Sequence, residues 1–288
     1  MKVSLACSSV LVLLSTLALG DFLPPNDLHL EDNLFFDGGV TEEEFHEAID
    51  EAEEYYADVV ASQGGRLAFN RNWKSSTVNA SASQFFGTWN VNMYGGLARR
   101  PEVTKDGFAL VVCHELGHHL GGFPFTSSWA ANEGQSDYFA TLSCARELWS
   151  DDIEVNELAA DLIPDYPKAL CDERYFADGQ DRMNLCYRSM LAGNSLANLL
   201  GALRKVSVDW ETPDPKTVKR TSHSHPAAQC RLDTYMAGAL CDSEFDPNII
   251  PRSEKVAASG SCHIVNGDED GLRPRCWFSP KLGMELEE

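Results

Sequence analysis

His114-Glu115-Leu116-Gly117-His118 is the segment of this chain whose residue types and spacing can do chemistry. Side chains four apart on a helix lie on one face, one turn apart, so the two imidazoles can converge on one cation. Ring nitrogens at about 2.0–2.1 Å suit Zn²⁺. Glu115 projects about 100° round from His114. That is wrong for a third ligand but right for taking a proton from a water on the metal, which hydrolysis requires. Phe108–Val112 is an apolar run leading into the segment, so its helix is expected to be buried, and Gly121-Gly122 stops it. His119 points about 100° away from His118 and reads as a helix-end residue.

A catalytic zinc needs a third protein ligand and an open position. A third His six residues after His118 is excluded, because Pro124 stands there and has no donor to a metal. Glu133 is the candidate. Ser127 or Ser128 can cap a second helix, expected over Trp129–Leu148. Joined to the first by a short loop, the two make a helical hairpin. In antiparallel neighbours His118 then faces Glu133, and His114 faces Asp137. Glu133 is placed to ligate, and Asp137 to accept a hydrogen bond from the free ring nitrogen of His114 and orient that ring.

These residues resemble the gluzincin metallopeptidases, the thermolysin-like group, in which a His-Glu-x-x-His helix is followed by a helix carrying Glu-x-x-x-Asp. The second motif here is Asn132-Glu133-Gly134-Gln135-Ser136-Asp137. A third segment, His223-Ser224-His225-Pro226-Ala227-Ala228-Gln229-Cys230-Arg231, is similar to the His-Pro segment of the HtpX-like and CAAX-prenyl-endopeptidase family, where it opens a helix that leans on the active site. The resemblance covers Asp106–Leu148 and Thr221–Leu240. It implies a zincin-like fold, Zn²⁺ held by His114, His118 and Glu133, and hydrolysis of peptide bonds in a peptide or protein substrate. Glu115 would be the base, and His225 would donate to the oxyanion, with His223 as the alternative. Many of those relatives are membrane proteins. No segment after residue 20 has the ~20 apolar residues of a membrane span, so prenylated substrates are not implied. A zinc-stabilised binding protein without catalysis is the other reading; a carboxylate base beside an open ligand position has no use in it.

The elements around the motif place it in an α+β fold: a small antiparallel β-meander packed on the motif helix, then a mainly helical half. Thr41–Val60 reads as a surface helix, opened by a Thr41/Glu44 capping box and carrying Phe45, Ala48, Ile49, Ala52, Tyr56, Val59 and Val60 on one face. Arg66–Trp73, Thr77–Phe86 and Thr88–Leu97 alternate polar and apolar residues and read as the strands. Thr88–Leu97 is expected to offer an edge to an extended peptide. Further helices are expected over Asp106–Leu120, Val155–Leu162, Asp181–Val206 and Ala227–Ala237. Residues 21–40 read as an extended lead-in, 41–250 as the metallopeptidase domain and 251–288 as a cysteine-containing tail.

Lys2, the apolar run Val10–Leu19 and the small residues of Ala18-Leu19-Gly20 read as a secretory signal over residues 1–20. Its removal takes Lys2 alone from 23 basic residues, leaving 22 against 44 acidic, or −22. That surface repels nucleic acid and anionic lipid. Of nine cysteines Cys7 lies in the signal, and the remaining eight suit disulfides in an exported chain. Cys171–Cys186 and Cys262–Cys276 are the expected local pairs, with Cys113–Cys144 also weighed. Cys230 and Cys241 would lie about 16 Å apart on one helix, too far to bridge. Asn79-Ala80-Ser81 is a glycosylation sequon. N-terminal sequencing of the exported protein is expected to start at Asp21; a start at Met1 would remove the signal reading.

Overall fold

A computed structural model describes residues 20–32 and 39–281, so the expected signal lies outside the described residues except for Gly20. After a two-residue strand β1 (Gly20–Asp21), helix α1 (Glu42–Ser62) starts at the expected capping box. Thr41 Oγ1 accepts the Glu44 N–H at 3.2 Å, and the Glu44 carboxylate accepts the Thr41 N–H at 2.9 Å. The seven apolar residues named for its inner face are all buried. Strands β2 (Arg66–Asn72), β3 (Ala80–Phe85) and β4 (Thr88–Tyr94) follow.

The sheet is mixed, and the expected antiparallel meander is overturned. Strand order is β1-β3-β4-β2, with β2 parallel to β4 and β3 antiparallel to both β1 and β4. β3 and β4 are joined by a two-residue turn, Phe86-Gly87, both at positive φ (46° and 76°), which matches the twist of a tight hairpin. No such turn joins β2 to β3. The loop between them is anchored by buried Arg99, which donates to the carbonyls of Trp73, Ser75 and Leu30 at 2.8–2.9 Å. The chain therefore crosses over before returning as β3. β4 is interior, so the expected peptide edge on Thr88–Leu97 is also overturned: the outer edge nearest the motif helix belongs to β3, and β1 lies on it.

A short helix α2 (Gly95–Ala98) leads to α3 (Lys105–Leu120), capped by Thr104 and buried on every face from Gly107 onward. It runs through the middle of the molecule, with α1 and the sheet on one side. On the other lie α4 (Glu133–Phe139), α8 (Gln180–Arg204) and the Cys113–Cys144 disulfide. The second helix of the hairpin starts later than expected. Residues 123–131 form a loop fastened by Ala131 N–H to His118 O and Asn132 N–H to Pro124 O, both 2.9 Å. Asn132, rather than Ser127 or Ser128, is the cap. After Phe139 the helix widens into a π turn, Ala140–Cys144, and resumes as α5 (Ala145–Trp149). Helices α6 (Ile153–Ala159) and α7 (Asp165–Tyr175) then pack on α8, α7 being one the periodicity missed.

Helix α9 (Ala228–Leu240) packs on α8 and α4. Cys230 near its start bonds Cys276, and Cys241 just past its end bonds Cys262, so the expected Cys262–Cys276 pair is overturned. The helix holds its two cysteines too far apart to bond each other, and each takes one from the tail. The tail, including α10 (Glu254–Ser259), is thereby laid along α9, with Trp277 buried and donating to Thr234 Oγ1 at 2.9 Å. Cys171–Cys186 and Cys113–Cys144 form as weighed. Among the described residues no helix is long and apolar enough to cross a membrane. Replacing Cys230 and Cys276 by Ala removes a cross-link across 46 residues, worth about 4 kcal/mol in chain entropy. A denaturant midpoint unchanged from the oxidised parent would show that the tail is held without it.

Candidate metal centre

α3 carries His114 and His118 with their ring centroids 4.8 Å apart and their planes at 88°. Glu133, the first residue of α4, meets both: its carboxylate oxygens lie 3.4 Å from His114 Nε2 and 3.6 Å from His118 Nε2. The three ligand atoms fall within 4.8 Å of one another and could hold a metal ion. His114 Nε2, His118 Nε2 and Glu133 Oε2 are buried and have no hydrogen-bond partner among the described residues. Buried polar atoms in native proteins are nearly always satisfied. Three orphans aimed at one point fit a cation with nitrogen and oxygen donors.

The far side of each ring meets an acceptor, which favours one tautomer. His118 Nδ1 faces the Ala131 carbonyl at 2.9 Å. A carbonyl only accepts, so Nδ1 carries the hydrogen and Nε2 presents its lone pair to the centre. His114 Nδ1 does the same to Asp137 Oδ1 at 2.8 Å. Burial pushes His118 down to about 4, so it is neutral at physiological pH and free to ligate. Burial acts on His114 in the same direction, but Asp137 outweighs it and raises its pKa.

Asp137 is wholly buried and has further partners. Besides His114 it accepts from the Tyr235 hydroxyl at 2.6 Å and from Arg231, both on α9 one turn apart. Burial would raise the Asp137 carboxyl; Arg231, then His114, hold it below the ordinary range. Burial likewise opposes ionisation of Glu133, and His118 and His114 reverse it. Arg231 belongs to the site and not to the surface. It is fully buried, its second donor reaching the Phe22 carbonyl at 2.7 Å, so it ties the N-terminal segment to the centre.

Glu115 is the anomaly. It is 0% exposed and neither carboxylate oxygen has a partner among the described residues. Burial, then Glu133, then Asp21 raise its pKa well above the carboxylate range. An unpaired buried acid is costly, and such perturbed groups cluster at functional sites. His225 is half-buried, with Nε2 3.5 Å from Glu133 Oε2 and 2.8 Å from the Asp21 carbonyl. His223 is exposed on the loop before it. The structure thus brings His114, Glu115, His118, Glu133, Asp137 and His225 together and leaves His223 out. His119 is stacked between Trp89 and Trp129, with centroids at 5.3 and 5.0 Å, and fastens α3 to the sheet. Tyr235 is the partner of Asp137 that the sequence analysis missed; its place one turn after Arg231, on the helix that follows His225-Pro226, was the available signal.

Compared with known families, curated proteins and solved structures, the chain matches none.

What brings α4 close enough is Gly117, inside the motif. A Cβ there would stand 2.9 Å from both Cα and O of Ser136, backbone that cannot yield. Gly117→Val is therefore expected to push α4 away and abolish tight metal binding. Asp137→Asn, which loses the charge that fixes the His114 tautomer, should weaken zinc affinity by about 10–100-fold. Competition with a chromogenic chelator measures both, and parental affinity in Asp137→Asn would remove the orienting role.

Proposed function

We propose that this chain is an exported zinc-dependent peptidase of gluzincin type, with a zincin-like arrangement of sheet edge and motif helix. The observation that carries this reading is Glu115: a buried, unpaired carboxyl one residue from a metal ligand, on a helix whose neighbour supplies the third ligand. A zinc ion held by His114, His118 and Glu133 would supply Lewis acidity, making water acidic and polarising a carbonyl. Glu115 would take the proton from water and pass it to the departing amine. His225, whose Nε2 already meets a peptide carbonyl, would donate to the substrate's oxygen as charge grows on it. Asp137, Arg231 and Tyr235 would hold His114 in place without touching substrate. Four disulfides support maturation in an oxidising compartment.

One observation favours a second reading. His114, Glu115 and His118 are each 0% exposed, which suits a zinc-stabilised binding protein with a closed, non-catalytic site. Glu115→Gln separates the two. On the peptidase reading it keeps zinc and loses hydrolysis of unfolded casein by about 10²–10⁴-fold. Equal hydrolysis by parent and variant, or none from either in every form of the protein, would overturn the peptidase reading.

A further inference from the structure

The centre is buried, and among the described residues the chain's own N-terminal segment lies against both ligand histidines. Gly20 lies flat on the His118 ring: a Cβ on it would stand 2.5 Å from Cδ2 and 2.7 Å from Nε2, the atom that offers its lone pair to the centre. Asp21, the next residue, gives its carbonyl to His225 Nε2 at 2.8 Å. Phe22 sets its ring edge-on to His114, with centroids 5.2 Å apart. Three consecutive residues therefore cross the centre from one ligand histidine to the other. Gly20 and Asp21 do so as strand β1 on the outer edge of β3, in antiparallel register, Gly20 opposite Ala82 and Asp21 opposite Ser81. Strand addition to such an edge is how sheets hold extended peptides.

The segment has two parts with different anchorage. From Phe22 onward it belongs to the core. Phe22 and Leu23 are 0% and 1% exposed. Arg231 holds the Phe22 carbonyl. Asn79 holds Leu23 by two bonds, Leu23 N–H to Oδ1 at 2.9 Å and Nδ2–H to the Leu23 carbonyl at 3.3 Å. Among the described residues, Gly20 and Asp21 are held by the strand pairing and by His225. The features that would seat a peptide substrate (the free strand edge, the carbonyl donor and the space beside the ligands) are the ones that Gly20 and Asp21 fill.

We infer that Gly20–Asp21 is the chain's own occupant of the peptide edge at this centre, and that the chain is latent until Gly20 leaves His118. The occupancy stands on the geometry; the word latent rests on the peptidase reading. Hydrolysis of the Gly20–Asp21 bond accomplishes the release: water adds across the amide, leaving a carboxylate on Gly20 and an ammonium on Asp21, while Phe22 and Leu23 stay in the core. An export peptidase that reads Ala18 and Gly20 would make that cut, so secretion itself would open the centre.

Three zinc-loaded proteins test this. They are the full chain, the full chain with Gly20→Val, and the form beginning at Asp21. The last is obtained from a ubiquitin-like carrier whose final glycine serves as Gly20 and whose protease cuts after it. Val at position 20 cannot lie on the His118 ring and must lift the strand. The first readout is the rate of zinc release to a chromogenic chelator; the second is hydrolysis of unfolded casein. Both are expected to be at least about tenfold faster in the variant and in the Asp21 form than in the full chain, the scale of one lost ~1.4 kcal/mol contact. Equal zinc-release rates would overturn the occupancy. Equal hydrolysis by all three, at a measurable rate, would overturn the latency. Faster release with no hydrolysis from any form would leave the occupancy standing and sink the peptidase reading instead. If Gly20→Val does not fold, the Asp21 form decides alone.

Discussion

A single buried carboxylate, Asp137, is the interaction on which the rest of the arrangement depends. It sits on α4, and its partners come from two other helices: His114 from α3, and Arg231 and Tyr235 from α9. Arg231 extends the link to Phe22 near the N-terminus. Four segments distant in sequence are thus locked in one orientation by charge that cannot be left unpaired. Removing one member of such a buried pair costs about 3–5 kcal/mol, because the other charge is stranded. The network therefore enforces geometry more than it adds stability. It fixes which face of His114 turns to the centre, and it fixes α9 so that His225, on the loop before it, stands beside Glu133.

Packing supplies what the charges need. From Gly107 onward α3 is apolar or small apart from the centre's own residues and His119, so it can be buried against both the sheet and the helical half. The absence of a side chain at Gly117 lets α4 touch it backbone to backbone. The disulfide from Cys113 to Cys144 and the stacking of His119 between Trp89 and Trp129 fasten the two flanks of the same helix. Each neighbour of the ligand histidines is thus doubly engaged, once with the centre and once with the scaffold.

What the sequence made legible was local. The capping box and helical period of α1 needed no partner to be read. The relation of His118 to Glu133 and His114 to Asp137 followed from the length of one loop, although the cap that starts α4 was misplaced: Ala131 and Asn132 spend their N–H groups on His118 and Pro124 instead of on a helix. Non-local pairing was not legible. Nothing in Arg66–Trp73 announces a crossover, because what prevents the meander is Arg99, more than twenty residues away, holding the loop carbonyls. The tail cysteines failed for the same reason. Proximity in sequence favoured Cys262 with Cys276, whereas both are claimed by the two ends of α9. The strand at Gly20 was hidden twice, first by its brevity and then by lying where a processing boundary was expected.

Charge balance explains why a centre of this composition exists at all. Asp21, Glu115, Glu133 and Asp137 act on one another across a region where Arg231 is the permanently charged base. Asp137 consumes Arg231, so the remaining carboxyls face two histidines whose Nε2 atoms have no partner among the described residues. Burial and its acidic neighbours drive the Glu115 carboxyl toward its neutral form. A divalent cation among the three ligand atoms would offset the field of these acids at Glu115. The proton affinity of the one unpaired acid is then set by what the centre holds. A carboxyl kept for packing alone would gain nothing from that coupling; one that must accept a proton and give it back depends on it.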